Sequence, residues 1–342
     1  MEHDFAGLTI DLGALVRNWT ALAARAGTAR AGAVVKADAY GTGAARAVPA
    51  LTAAGARDFF VAQAHEGRAI RDLVPADGRI FVMEGIREGD DARGLIAVVN
   101  SPEQWFRHQT MRPGAPFAVH IDTGMNRLGF SAGDWAALRA EVLAARPALL
   151  MSHLSCADEA DHPASRRQLA AFRAATDGTG VARSLAATGG VLLGPDYHFD
   201  LIRPGVGLYG AMPFAGAEAV VSLALPVVQI RQIEAGAPVG YGEGWIAPRR
   251  ARIATLGAGY ADGLPRALGG KLRLWAGDRP VPAVGRVSMD AITVDVTDLP
   301  DVPPVLEIIG PHQGVDDLAA AAGTIGYEVL TSLGRRFPRR YL

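Results

Sequence analysis

AGAVVKADAYGTG, residues 31–43, runs from a short apolar stretch through a single lysine into a loop with two glycines, and the alanine-rich AARAVPALTAAG (44–55) that follows has helical spacing. A buried strand, a Gly-bearing loop and a helix form one βα unit. Working outward, apolar runs of strand length recur at 33–36, 59–62, 80–83, 96–99, 117–121, 149–152, 184–186 and 200–202, eight in all. Between them lie helical patterns such as HEGRAIRDLV, SAGDWAALRAEVLAARP and PASRRQLAAFRAATD. Strand then helix, eight times, predicts an α/β fold with an N-terminal (β/α)8 TIM-type barrel.

The texture changes near residue 216. VVSLALPVVQIRQI, RRARIATLGAG, KLRLWAG, RPVPAVGRVSM and AITVDVTDL are short, β-branched and separated by Gly, Pro and Asp. They predict a second, mostly antiparallel β domain. The expected division is a barrel over 8–215 and a β domain over 216–342, with residues 1–7 packing on the β domain. The last stretch, VDDLAAAAGTIGYEVLTSLGRRF, predicts two short helices broken at Gly323, with Thr324 or a neighbour as cap. The basic cluster Arg335, Arg336, Arg339 and Arg340 suits the end of a helix.

Of 34 basic residues only Lys36 and Lys271 are lysine. Arginine serves surface charge equally well but cannot act as a free amine, so a lysine kept at a strand end suggests amine chemistry. An ordinary solvated lysine fits the same segment, and arginine bias can follow from coding composition. A net charge of −1 with no dense basic stripe argues against a nucleic-acid partner. The single cysteine, Cys156, excludes an intrachain disulfide and fits a cytoplasmic protein. The start, MEHDFAGLTIDLGALVRNW, has no signal-peptide pattern, and no apolar stretch is long enough to span a membrane.

On a barrel the loops after each strand converge on one face. KADAYGTG (36–43), HIDTGMNRLG (120–129), SHLSCADE (152–159), AATGG (186–190) and IRPGVGLYG (202–210) would meet there. The last two follow the seventh and eighth strands, where barrels commonly bind phosphate through backbone N–H groups. Read singly, each is also a plain barrel turn. Tyr260 alone reads as a half-buried β-domain tyrosine, Arg127 as a structural partner of Asp122 or Asp158, His153 as a core histidine and Tyr327 as helix packing.

Taken in order, KADAYGTG, HIDTGMNRLGF, SHLSCADE, IRPGVGLYG, GAGYADGLPR and VGRVSMD closely resemble the signature segments of bacterial alanine racemases, from about residue 8 to the C-terminus. The resemblance implies a pyridoxal 5'-phosphate enzyme, assembled as a head-to-tail homodimer, that interconverts L- and D-alanine, a peptidoglycan precursor. It implies Lys36 as the lysine that carries the cofactor, and Tyr40, Thr188, Gly205, Val206 and Tyr327 around its phosphate, with Arg203 facing the pyridine nitrogen. Arg127 and the backbone N–H of Met289 would receive the substrate carboxylate. Tyr260 would be the second base, reaching in from the partner subunit, with His153 in a hydrogen-bond network linking Tyr260 to Arg203.

The chemistry suits these residue types. Racemisation takes a proton from one face of Cα and returns one to the other, so two acid–base groups on opposite faces serve it, and Lys36 and Tyr260 can be that pair. A tyrosine needs nearby donors or positive charge to ionise, a role for His153 and Arg203. Arginine at a pyridine nitrogen hardly gives up its proton, which favours brief proton removal over decarboxylase chemistry.

Three departures from the family pattern stand out. His120 occupies the place where many members carry a carbamylated lysine that positions the substrate-binding arginine. Thr42 replaces the usual histidine, and Ser288 replaces the cysteine of some members. Tyr260 and Tyr327 would form an inner gate, with Ile325, Arg286 and Asp158 further out, which favours alanine and leaves serine as a slow substrate. Alternatives are a broad-specificity or serine racemase of the same fold, a decarboxylase, a single-barrel cofactor carrier, and a metal-dependent hydrolase, for which no convincing ligand set is present.

Overall fold

The predicted apolar runs become strands buried on both faces, as a parallel sheet flanked by helices requires. In the computed structural model, which describes residues 5–342, Ala33–Val34, Asp58–Val61, Arg79–Val82, Ile96–Val99, Phe117–His120, Leu150–Met151 and Arg183–Ser184 pair in chain order as one seven-stranded parallel sheet. The eighth run, Leu201–Ile202, pairs in parallel with Arg30–Ala31. Backbone N–H groups of Asp200 and Arg203 donate to the carbonyls of Arg183 and Ala186, and that of Val34 donates to Pro204 O. These bonds place the eighth strand between the seventh and the first and close the barrel.

Helix starts follow local chemistry. Ser131 accepts the N–H of Asp134 at 3.1 Å, and Ser101 that of Gln104 at 3.2 Å with Pro102 at the first helical position. Trp105 and Trp135, from the helices Pro102–Met111 and Ala132–Ala144, pack with Val99, Phe117, Val119, Phe130 and Leu150. Phe60 stacks on Phe81 at 4.8 Å between centroids. At the strand starts, the buried Asp58 carboxylate pairs with Arg79 at 2.6 Å and Arg30 at 3.6 Å.

The chain divides into two compact units, Leu15–Glu218 and the combination of Met1–Ala14 with Ala219–Leu342. The strand Gly7–Ile10, which an expected barrel start at residue 8 assigns to the first unit, belongs to the second. It lies between the long strand Val221–Ile233, antiparallel to it, and Arg339–Tyr341, parallel to it. Its apolar side chains enter the β core, with Leu8 and Ile10 fully buried. The strand Val221–Ile233 is the spine of this unit, pairing also with Val305–Ile309 and Ala251–Leu256. Ile292–Asp295, Arg279–Val284 and Arg273–Ala276 complete the eight-stranded sheet.

Two terminal helices, Val315–Ala322 and Gly326–Ser332, break at Gly323, whose φ of 77° is left-handed. The cap position of the second is Ile325, while the Thr324 hydroxyl donates to Glu328. The basic cluster does not end that helix: it closes at Ser332, Arg336 turns to Asp262 and Asp290, and Arg339 and Arg340 lie in the final strand. Among the described residues no helix is long and apolar enough to cross a membrane.

Candidate active site

Lys36 stands where the first barrel strand ends, and the four residues after it adopt an unusual backbone. Ala37, Asp38, Ala39 and Tyr40 have φ of 52°, 54°, 54° and 53°, a left-handed helical turn built without glycine. Each such residue is disfavoured by about 1–2 kcal/mol. Hydrogen bonds hold the turn: Ala39 N–H donates to Val35 O, Gly41 N–H to Ala37 O and Gly43 N–H to Asp38 O, each at 2.9 Å. The Thr42 hydroxyl donates to Ala39 O at 2.6 Å, so this departure from the family pattern helps close the turn. From the first turn of the helix Ala64–Ile70, Glu66 accepts the Ala37 N–H at 2.6 Å. Burial first and Arg127 second push the Lys36 amine below its ordinary range, while Glu66 and Glu84 oppose them. A lowered amine pKa makes a better nucleophile at neutral pH.

Tyr40 turns back over the barrel end and stacks on Tyr209 at 4.6 Å. The fully buried Tyr209 hydroxyl donates to Val34 O at 2.9 Å. A Cβ on Gly205 would meet the Tyr40 hydroxyl at 2.6 Å, so only glycine fits beneath it. Thr188 opens the short helix Thr188–Leu192, and its hydroxyl oxygen accepts the N–H groups of Gly205 at 3.0 Å and Gly207 at 3.3 Å. Val206, also buried, begins the turn Val206–Tyr209. Tyr40, Thr188, Gly205 and Val206 therefore form one cradle of hydroxyls and closely approached backbone.

Arg203 is buried with its guanidinium held by neutral oxygens alone. It donates to Ser152 O at 2.6 Å and to the Ser184 hydroxyl, and it lies 5.8 Å from the Phe60 centroid. Among the described residues it has no ion-pair partner, and burial pushes its pKa down to about 9. Among the described residues the side chain of His153 makes no direct hydrogen bond to Arg203, which donates one N–H to each of the two serines. Burial, then Arg203, Arg127, His120 and Lys36, push the His153 pKa down to about 3, so the imidazole is neutral. Its backbone carbonyl accepts from Gln168 at 3.0 Å.

His120 is buried, and its pKa is lowered to about 4 by burial, Arg203 and Arg127. Its Nδ1 lies 3.1 Å from Asn100 Oδ1. The Asn100 amide nitrogen donates to Met83 O and Val98 O, so its oxygen must face the histidine, and His120 carries its proton on Nδ1. The loop leading to the exposed Arg127 rises from this point. Its base is closed by Asp122 N–H donating to Phe130 O and Phe130 N–H donating to His120 O. Asp122 spends its carboxylate on the N–H groups of Gly124, Met125 and Asn126 at 2.9 Å each. Neither Asp122 nor Asp158 pairs with Arg127, which stands unpaired among the described residues.

The remaining expected residues lie in the second unit. Tyr260 N–H donates to Ser288 O at 3.0 Å and Ala261 N–H to Met289 O at 3.1 Å, so the Tyr260 and Met289 segments run side by side. A Cβ on Gly259 would fall 2.1 Å from Ser288 O, which makes this approach a glycine-only one. Tyr260 and Met289 are 44% and 52% exposed, two large side chains that this unit leaves uncovered. The buried Asp262 beneath them accepts Gly259 N–H at 2.9 Å and pairs with Arg336 at 3.2 Å. Tyr327 is half-buried on the helix Gly326–Ser332, and Ile325 before it is exposed.

Sequence reading missed Glu66, Asn100, Ser152, Ser184 and Tyr209. Each acts on a residue distant in sequence. Only Glu66 carried a local signal, an acidic side chain three residues past Gln63 at a helix start, where it accepts the N–H groups of Ala62 and Gln63.

Residues 10–213 match the family model described as alanine racemase, N-terminal domain, and residues 220–341 that of alanine racemase, C-terminal domain. A Cereibacter sphaeroides protein named alanine racemase is 57% identical over 341 residues, covering 98% of each chain. The crystal structure of alanine racemase from Bartonella henselae with covalently bound pyridoxal phosphate is similar with a TM-score of 0.94, 36% identity and 99% of both chains covered. That of biosynthetic alanine racemase from Pseudomonas aeruginosa has a TM-score of 0.90 and 38% identity, covering 99% of this chain and 100% of that one.

Proposed function

The chain belongs to the alanine racemase family and interconverts L- and D-alanine, and from that premise we propose that it does so with pyridoxal 5'-phosphate, using Lys36 and Tyr260 as acid–base groups on opposite faces of the substrate Cα. The observation that carries the cofactor assignment is the company Lys36 keeps. A partly buried amine of lowered pKa shares the barrel end with a glycine and hydroxyl cradle and with a buried guanidinium that has no carboxylate partner among the described residues. These residues fit the group: Lys36 would hold its aldehyde carbon, Tyr40, Thr188, Gly205, Val206 and Tyr327 its phosphate, and Arg203 its ring nitrogen.

When bound, the cofactor supplies an electron sink that acidifies the Cα–H bond. Arg127 receives the substrate carboxylate, an exposed cation with no competing ion pair among the described residues. The Met289 N–H supports the same carboxylate. Lys36 Nζ takes or gives a proton on one face, and the Tyr260 hydroxyl does the same on the other. One base removes the Cα proton while the other returns one, so each turnover exchanges their protonation states and solvent must reset them. Arg203 keeps its proton at neutral pH and acts as a fixed donor, with His153 neutral beside it.

The protein works as a cytoplasmic homodimer in which Tyr260 and Met289 of one chain complete the site of the other. What supports this is the pair of large uncovered side chains on the second unit. As the family resemblance implies, Tyr327 would favour alanine over larger substrates. The experiment is borohydride reduction followed by peptide mapping, with the optical activity of L-alanine solutions followed alongside. A pyridoxyl group fixed on Lys36, and decay of rotation that Lys36→Ala abolishes, are expected. Tyr260→Phe should still exchange the Cα proton of one enantiomer with solvent deuterium while losing interconversion. Equal loss from both enantiomers overturns the two-base assignment.

A further inference from the structure

The left-handed turn after Lys36 needs an external support. Its internal bonds close the turn, but four successive non-glycine residues at positive φ remain disfavoured against a right-handed alternative. At the first of them a bond arrives from another element: Glu66 Oε1 accepts the Ala37 N–H at 2.6 Å. The other oxygen, Oε2, accepts the N–H groups of Ala62 at 2.8 Å and Gln63 at 3.0 Å. One carboxylate thus ties the loop after the first barrel strand to the start of the helix Ala64–Ile70 after the second.

We propose that Glu66 is a positioning residue for Lys36, one oxygen fixing the turn that aims the lysine and the other fixing the neighbouring helix start, so that the two loops hold a single register. Its functional meaning rests on the reading of Lys36 as the cofactor-bearing amine. With three backbone N–H groups on its two oxygens, Glu66 acts as an acceptor that holds backbone. It faces Lys36 with negative charge, as Glu84 does, against Arg127 and beside the neutral His153. The same turn carries Tyr40 to its place over Gly205, so Glu66 reaches both ends of the cofactor site through one backbone segment.

Only two lysines are present, and the exposed Lys271 provides an internal reference. The test compares wild type, Glu66→Gln and Glu66→Ala as full chains. Amide exchange by mass spectrometry reports the turn, and pH-dependent acetylation of Lys36 relative to Lys271, in protein stripped of cofactor, reports the amine. In Glu66→Ala, exchange at Ala37 should accelerate about tenfold to a hundredfold, the range for loss of a hydrogen bond to a charged group. The midpoint of Lys36 acetylation should move to lower pH. Glu66→Gln keeps an acceptor for Ala37 but no charge, so it should show the acetylation change with exchange at Ala37 close to wild type.

If Glu66→Ala loosens only the amides of 62–70 and leaves Ala37 exchange and the Lys36 profile unchanged, Glu66 is merely a helix cap and the proposal fails. If borohydride fixes nothing on Lys36 in wild type, the cofactor reading fails, while exchange and acetylation still decide the role of Glu66.

Discussion

Replacing Arg203 by methionine should leave the cofactor-free protein more stable while removing most of its activity. The guanidinium is buried without a counter-ion, and burial brings its pKa down to about 9. That is about three and a half pH units below the ordinary value, and at about 1.36 kcal/mol per unit the charged form carries a penalty of about 5 kcal/mol. Methionine lifts that penalty and fills similar volume. Against this, Ser152 O loses its donor, which costs about 1–3 kcal/mol. The contact with Phe60 goes too, about 1 kcal/mol at 5.8 Å. The Ser184 hydroxyl keeps its bond to Leu201 O, so it is not orphaned. The balance favours Arg203→Met by about 1–3 kcal/mol, in line with apolar replacement of buried charges elsewhere. Urea unfolding followed through Trp105 and Trp135 gives the difference as a shift in midpoint at constant slope. A loss of about 2 kcal/mol or more in the cofactor-free variant would refute the reasoning, because the guanidinium would then hold the barrel together rather than burden it.

Three further outcomes are expected. His120 and His153 stay neutral in the folded protein to about pH 4 and about pH 3, whereas the unfolded chain takes up protons below about 6.5; stability is therefore full above about 6.5 and lost as pH falls toward 4, His120 alone accounting for about 3 kcal/mol. His120→Asn should flatten that slope in acid titrations of stability, and an unchanged slope counts against it. Asp58→Asn, which weakens the pairing of this buried carboxylate with the partly exposed Arg79 at the strand starts, should destabilise by about 1–3 kcal/mol in urea while leaving kcat/KM within about twofold. Thr188→Val removes the acceptor of the Gly205 and Gly207 N–H groups and should weaken pyridoxal phosphate binding about tenfold by equilibrium dialysis; unchanged affinity would separate Thr188 from the phosphate.

The barrel was legible because its strands are buried on both faces, and continuous apolar runs such as Phe59–Val61 need no partner to be recognised. The first strand of the chain was less so. Leu8 and Ile10 announce burial, but an apolar run does not name the sheet it joins, and Gly7–Ile10 went to the antiparallel one. In the site, Lys36 and the glycines carry their meaning in their residue type. The left-handed turn does not: nothing in ADAY distinguishes it from right-handed helix, because the bond that selects it comes from Glu66, in the first turn of the helix after the next strand. The tautomer of His120 was hidden for the same reason, since Asn100 sets it from another strand. Local chemistry is written locally, and orientation is set across strands.

The placement of Gly7–Ile10 also bears on how the protein emerges from a ribosome. Everything the barrel needs has been made once Glu218 leaves the exit tunnel, so that unit can fold while synthesis continues. The other unit cannot. Its earliest strand must wait for Val221–Ile233 on one side and for Arg339–Tyr341, about 330 residues further along the chain, on the other. At about 5–20 residues per second that second wait lasts tens of seconds, during which Leu8 and Ile10 lack their permanent cover. A chain lacking Arg339–Tyr341 would leave Gly7–Ile10 as the edge of this sheet, its apolar side chains and unpaired backbone groups open to pairing with another chain.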